Sequence, residues 1–310
     1  MSDALDILAI AAHRDDVEQT CGGTLLRMAQ RGYRTGILDL TQGEMGTRGT
    51  AEDRAREAAE AARILCVSWR MALDIPDGRV ENTWENRLKI ARVIREQRPR
   101  VVILPYWQGR HPDHYTASIL GYEACFLAGL AKLDLDYAPG HHSSARAAVE
   151  EHSISDAPGT TLAGPRMSDA EATTQEGFGI SNAGGTAVEG HGFSRAAEAT
   201  KHPGALAPRG PHRPLKILYA TLYYDIRPTF VVDITDQFEA RFQSLMAYQS
   251  QFSDQQAGKD LFPAQVEIRS RIEAMARFYG LLAGVTYAEP FIQKEVGLVD
   301  DLLAIPVKSI

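Results

Sequence analysis

Two groups of side chains suited to chemistry stand about a hundred residues apart: His13-Arg14-Asp15-Asp16, and Arg110-His111-Pro112-Asp113-His114. An imidazole and a carboxylate from one segment, joined by an imidazole from the other, give the three protein ligands of a catalytic zinc centre, with a fourth position left for water. Either segment alone reads as a turn in which Asp bonds nearby backbone. Their joint occurrence, each after a buried strand-like run, favours the metal.

The elements that must position these groups are legible as periodicities. Residues 5–12, apolar except for Asp6, form a run of strand length, the pattern of a strand covered on both faces of a parallel α/β sheet. Gly22-Gly23 permits a turn, and residues 24–30 resume at helical spacing with Leu25, Leu26 and Met28. Residues 34–40 predict a second strand, and Thr50 followed by Asp53 a capping box opening an Ala-rich helix to residue 65. A third strand over 67–73, an amphipathic helix over 84–97 and a fourth strand over 101–104 follow. Parallel strands place their carboxyl ends on one rim, where open α/β sheets bind ligands, so both clusters arrive at the same edge. A helix over 116–132 would turn Ala117, Ile119, Leu120, Ala124, Leu127 and Leu130 inward. Further on, 215–222 and 229–234 read as strands around a turn at 225–228, with helices over 236–248 and 264–279. The polar stretch 253–263 reads as a rim to the pocket, and beyond residue 288 no pattern is usable.

The segment from about 139 to 213 differs in character. It is rich in Ala, Gly, Ser and Thr and poor in large apolar residues, so it is expected to be a disordered insertion in a single 1–310 domain. Six of the nine histidines fall in it without regular spacing, which makes them incidental rather than metal-delivering.

AHRDD followed by GG, then TQGEMGTRGTAEDRAREAAEAARIL, RHPDH, and finally PTFVVDIT with AYQSQFS together resemble the LmbE/PIG-L family of zinc-dependent N-acetylglucosamine deacetylases, most of all its bacillithiol-biosynthesis branch. The resemblance implies a Rossmann-like, mostly parallel sheet with helices on both faces and one Zn2+ held by His13, Asp16 and His114. It implies Asp15 as general base, His111 facing the developing oxyanion or amine, and Asp113 orienting His111 or His114. Arg54 would contact substrate hydroxyls, although its place in the first turns of a helix by itself suggests a solvated face; Arg110 and Arg48 are weaker candidates, as substrate or backbone contacts. The substrate would be an amino-sugar conjugate such as N-acetylglucosaminyl malate, and the assembly a homo-oligomer, up to a hexamer. Two departures stand out: Arg14 where many members have Pro, placing a cation near the metal, and Cys66, read as a packing detail, where Gly is common.

Composition bounds the alternatives. With 44% hydrophobic and 24% charged residues over 310 positions, the chain can bury a sizeable core. A net charge of -7 argues against nucleic-acid or anionic-membrane surfaces, which want a clustered basic face. Cys21, Cys66 and Cys125 lack metal spacing and read as free cytosolic thiols, and the absence of a basic leader or a long apolar stretch points to the cytoplasm. A nucleotide-binding Rossmann domain would need a G-x-G-x-x-G loop after the first strand, and none is there. An amidase of thiol-sugar conjugates or other N-acylated sugars stays open. A non-catalytic metal- or sugar-binding protein also stays open, although it would not need Asp15 and His111.

Overall fold

The computed structural model describes residues 4–135, 210–222, 224–253 and 263–305. Its centre is β1 (Ile7–Ala11), buried at every position. Successive side chains of a strand face opposite sides, so Leu8 and Ile10 enter one core and Ile7, Ala9 and Ala11 the other. The first core is closed by α4 (Trp84–Gln97) and α5 (Pro112–Ala128), through Ile90, Ile94, Leu120 and Ala124. The second is closed by α1 (Asp16–Thr20) and α2 (Gly22–Gln30), through Val17, Cys21 and Leu25. Each fully buried Leu or Ile contributes about 1.5–3 kcal/mol, which makes a two-sided sheet the favoured arrangement for this apolar strand.

β2 (Thr35–Asp39), α3 (Ala51–Ile64), β3 (Trp69–Ala72) and β4 (Val101–Pro105) follow the expected βαβ pattern, and the Thr50–Asp53 capping box opens α3. β5 (Lys216–Ala220), β6 (Phe230–Asp233), α6 (Phe238–Met246), α7 (Gln249–Phe252), α8 (Gln265–Leu281) and β7 (Ala288–Gln293) complete the order. The sheet runs β3-β2-β1-β4-β5-β7-β6. Its first five strands are parallel, and β7 pairs antiparallel with both β5 and β6. The architecture is therefore the α/β, mostly parallel sheet with helices on both faces that the sequence predicts. From β1 the chain winds outward to β3 and returns on the other side as β4, so the gap between the β1 and β4 carboxyl ends is the topological switch point.

Several local expectations are corrected. α5 starts at Pro112 rather than Thr116, because Pro suits the first helical position and the His111 side chain accepts the Asp113 N–H as cap. Ile119 and Leu130, expected in the core, are exposed, and Ile119 joins Tyr115, Tyr122 and Phe126 in an outward apolar stripe along α5. β5 and β6 are not partners, since β7 lies between them. Gly22 and Gly23 begin α2 instead of forming a turn: a Cβ on Gly23 would stand 2.9 Å from Glu289 Oε1 and 3.0 Å from Ile234.

The chain divides into a unit of Met1–Tyr137 with Leu206–Ile310 and a second unit, Ala138–Ala205. The second unit, and with it most of the insertion expected at 139–213 and five of its histidines, lies outside the described residues, as do 254–262 of the expected rim. The last part of that insertion is docked on the fold: His212 bonds Pro99 O at 2.7 Å and Ala128 O through its N–H at 2.9 Å, and Arg213 lies over Phe126.

Cys66 is more than a packing detail. It follows α3 with φ of +53°, in the left-handed region where a Cβ meets the following carbonyl, and its side chain is exposed. Cys66→Gly should raise stability by about 0.5–1 kcal/mol, the relief of strain outweighing glycine's greater freedom when unfolded. Urea unfolding of the two proteins checks this; a loss of stability would show that the turn holds no strain.

Candidate metal centre

At the end of β1 the chain turns sharply, with His13 donating its N–H to Asp16 Oδ2 at 2.9 Å and Asp15 standing as N-cap of α1. At the end of β4 a short loop leads to His111, the N-cap of α5, with His114 in the first turn. The switch point thus brings His13, Asp16, His111 and His114 together; the three rings stand with centroids 4.7 to 5.2 Å apart.

Within this group, His13 Nδ1 lies 3.2 Å from His114 Nε2 and 3.5 Å from Asp16 Oδ2, and Asp16 Oδ1 lies 3.2 Å from His114 Nε2. Donors around a tetrahedral zinc ion with bonds of about 2.0–2.1 Å stand about 3.3–3.4 Å apart, so this spacing fits such an ion. His13 also combines with His111 and His114, and on its other side with Asp77 and Asp113, in groups whose donor atoms lie within 4.8 Å of one another. The residues present can hold a divalent cation.

The electrostatics point the same way. Burial acts against a charged His13, yet Asp113, Asp16 and Asp77 outweigh it and hold its proton to about pH 12. Burial likewise opposes the charged forms of Asp16 and His114, and their mutual attraction keeps Asp16 well below the usual carboxylate range and raises His114. A cation bound among these carboxylates would compete with protons for the same imidazole nitrogens. His111 is lowered, first by burial and then by its charged neighbours His13 and His114.

Asp113 bonds the His111 ring through its backbone N–H, while its carboxylate faces His13. Its carboxylate, 2% exposed, accepts the N–H groups of Gly78 and Val80 at 2.8 and 3.2 Å and stands 3.3 Å from His13 Nε2. Those backbone bonds draw it beneath His13. Arg54 is buried, not on a solvated face: its Nη2 donates to Asp15 Oδ1 at 3.1 Å, and its guanidinium lies near the Tyr248 ring. Arg110 is exposed and lines a cleft of about 240 Å³ with His111, His114 and Leu222. Arg48 exchanges bonds with Gln251, Nη1 to Gln251 O and Gln251 Nε2 to Arg48 O. The Arg14 guanidinium is anchored on Ala51 O at 2.7 Å, at the start of α3.

The residues that hold the Asp15–Asp16 turn were not foreseen. Arg70, from β3, binds Asp39 at 2.9 Å and Glu18 at 2.6 Å and donates to Arg14 O. Tyr248 donates to Arg14 O and reaches Glu18 Oε1 at 3.1 Å. Arg241 donates to the Glu18 and Gln19 carbonyls and pairs with Glu289, which accepts the Gly23 and Thr24 N–H groups. Burial pushes the Glu18 carboxyl up to about 7 despite Arg70. An arginine inside a strand and a tyrosine inside AYQSQFS were the available signals. Asp77, which faces His13, reads in the sequence as part of a Pro-Asp-Gly turn.

An α/β protein whose switch point gathers imidazoles and carboxylates around a cation-sized gap defines the class. Residues 8–125 match the sequence profile of PIG-L, GlcNAc-PI de-N-acetylase. Diacetylchitobiose deacetylase of Thermococcus kodakarensis is 35% identical over 164 residues, which cover 49% of this chain and 58% of that protein. The uncharacterised deacetylase YaiS of Escherichia coli is 35% identical over 135 residues, 38% of this chain and 72% of YaiS. The crystal structure of the conserved protein TT1542 from Thermus thermophilus superposes with a TM-score of 0.64 at 32% identity, covering 96% of this chain and 98% of that one. The chain belongs to the PIG-L family.

Tyr248→Phe tests the clamp on α1. It removes one donor from a buried carbonyl and a buried carboxylate, so stability should fall by about 1–3 kcal/mol in urea unfolding. Unchanged stability would show that Arg70 alone satisfies Glu18 and Arg14 O.

Proposed function

We propose that this chain is a metal-dependent N-deacetylase of 2-acetamido sugars, with zinc held by His13, Asp16 and His114. The observation that carries the reading is the close approach of His13 Nδ1, His114 Nε2 and the two oxygens of Asp16, which meet at 3.2 to 3.5 Å, with the carboxylate of Asp15 next to them in the same turn. When bound, the ion supplies Lewis acidity toward the amide carbonyl. Asp15 then takes a proton from the attacking water, and Arg54, bonded to its Oδ1, fixes that carboxylate in place. His111 caps α5 with Nδ1, which leaves Nε2 for the oxyanion or the leaving amine; the proton delivered to the amine nitrogen comes from Asp15 or His111. Asp16 and His114 also border a cavity of about 30 Å³ lined by Val17, Ile103, Pro105 and Leu222, room for a group about as small as an acetyl methyl.

The substrate we propose is an N-acetylglucosamine conjugate, of which N-acetylglucosaminyl malate, in bacillithiol biosynthesis, is the first to test. The acetylated disaccharide named for the Thermococcus relative supports the sugar class. The exposure of Arg110 at the cleft supports a contact with the conjugate's polar groups. Homo-oligomeric assembly is supported by the exposed apolar stripe of α5. A cytoplasmic setting is supported by free Cys21, Cys66 and Cys125; among the described residues no helix is long and apolar enough to cross a membrane.

Adjacent carboxylates give the test. Asp15→Asn keeps shape but cannot take a proton: the variant should retain about one zinc per chain while turnover of N-acetylglucosamine conjugates falls about 10² to 10⁴-fold. Asp16→Asn should lose zinc, a neutral amide being the poorer ligand. Loss of metal in the first and retention in the second would swap the roles, and unaltered turnover in both would remove hydrolysis from this turn.

A further inference from the structure

The buried carboxylate of Asp77 has no role in the reaction as described. It lies in the turn after β3, 8% exposed, and was not among the residues singled out from the sequence. Its Oδ1 stands 3.1 Å from His13 Nε2, and its Oδ2 accepts the Met45 N–H at 2.9 Å. Its own N–H donates to Glu44 Oε1 at 2.9 Å. One residue therefore touches both His13 and the loop between β2 and α3.

The two nitrogens of His13 face opposite surroundings. Nδ1 faces His114 Nε2 and Asp16, the sides of the cation pocket, while Nε2 faces Asp77 and Asp113. A neutral imidazole carries one proton. On Nδ1 that proton would point into the pocket and leave no lone pair for an ion; on Nε2 it meets carboxylate acceptors and frees Nδ1 to coordinate. Asp113 already accepts from two backbone N–H groups, and the contact of Asp77 with Nε2 is the shorter of the two, 3.1 against 3.3 Å.

We propose that Asp77 is a positioning residue for the metal centre: its carboxylate holds the His13 proton on Nε2 and so presents Nδ1 to the ion. This rests on the reading of His13 as a ligand. In this role Asp77 acts through His13.

The test is metal affinity of the full-length chain, measured with Zn²⁺ alone by competition with a chromophoric chelator, together with the visible absorption of the Co²⁺ form. Asp77→Ala should weaken zinc binding about 10- to 100-fold and alter the cobalt bands, the usual size of effect for a partner of a metal-bound imidazole. Asp77→Asn keeps an acceptor oxygen of lower charge and should weaken binding less than Ala but still measurably; it carries the test if the alanine variant does not fold. Glu44→Ala cuts the loop's bond to the Asp77 N–H without touching His13, and should leave zinc affinity within about twofold. Equal affinity and an unchanged cobalt spectrum in the Asp77 variants would overturn the proposal, as would a Glu44→Ala protein weakened as much as Asp77→Ala, because loop anchoring would then explain both. Wild-type protein that takes up neither metal would overturn the ligand reading itself, whereas wild-type binding matched by Asp77→Ala would remove only Asp77.

Discussion

Carboxylates crowd around two imidazoles at the end of β1. Asp16 and Asp113 are nearly buried, Asp77 with them, and Asp15 is close by; against them stand His13, His114 and the single guanidinium of Arg54. Negative charge of this density, withdrawn from water, is costly unless paired. The fold meets that demand in part by raising the proton affinity of His13 and His114, and the same crowding suits a divalent cation. Asp15, the proposed base, stands beside this group with Arg54 bonded to its Oδ1.

Holding such a site open requires that the turn after β1 not relax, and buried charge supplies the restraint. Arg70 from β3, Tyr248 beyond α6 and Arg241 within α6 converge on α1 and on the carbonyl of Arg14. Glu289 at the start of β7 reaches the N-terminus of α2, where two backbone N–H groups meet it. The C-terminal third of the chain thus contributes no proposed ligand among its described residues and instead braces the elements that carry them.

Much of this was legible in the sequence because it is local. The apolar run of β1, the capping box of α3 and the periodicity of α4 each depend on neighbours within a few residues, and the strand-end rule then sends both histidine clusters to one rim. What stayed hidden depends on distant partners. β7 carries Pro290, which argues against a strand, but pairing with β5 begins only at Phe291, so the missing N–H falls outside that ladder. Pro112 and Asp113 read as a turn, and only the cap by His111 shows them to be a helix start. Asp77 sits in a Pro-Asp-Gly sequence whose turn chemistry suffices to explain it; the order β3-β2-β1-β4 is what sets it against His13. Cys66 carries a backbone constraint that no side-chain pattern reveals.

His13 stands between two sets of donors, Asp16 and His114 on its Nδ1 side and Asp77 and Asp113 on its Nε2 side, and the proposed ion sits with the first. An anomalous difference map at the zinc absorption edge, from crystals of the zinc-loaded protein, decides between them. The predicted result is one strong peak between His13 Nδ1, His114 Nε2 and the Asp16 carboxylate; a peak beside His13 Nε2 among Asp77 and Asp113, or none near His13, would contradict the account.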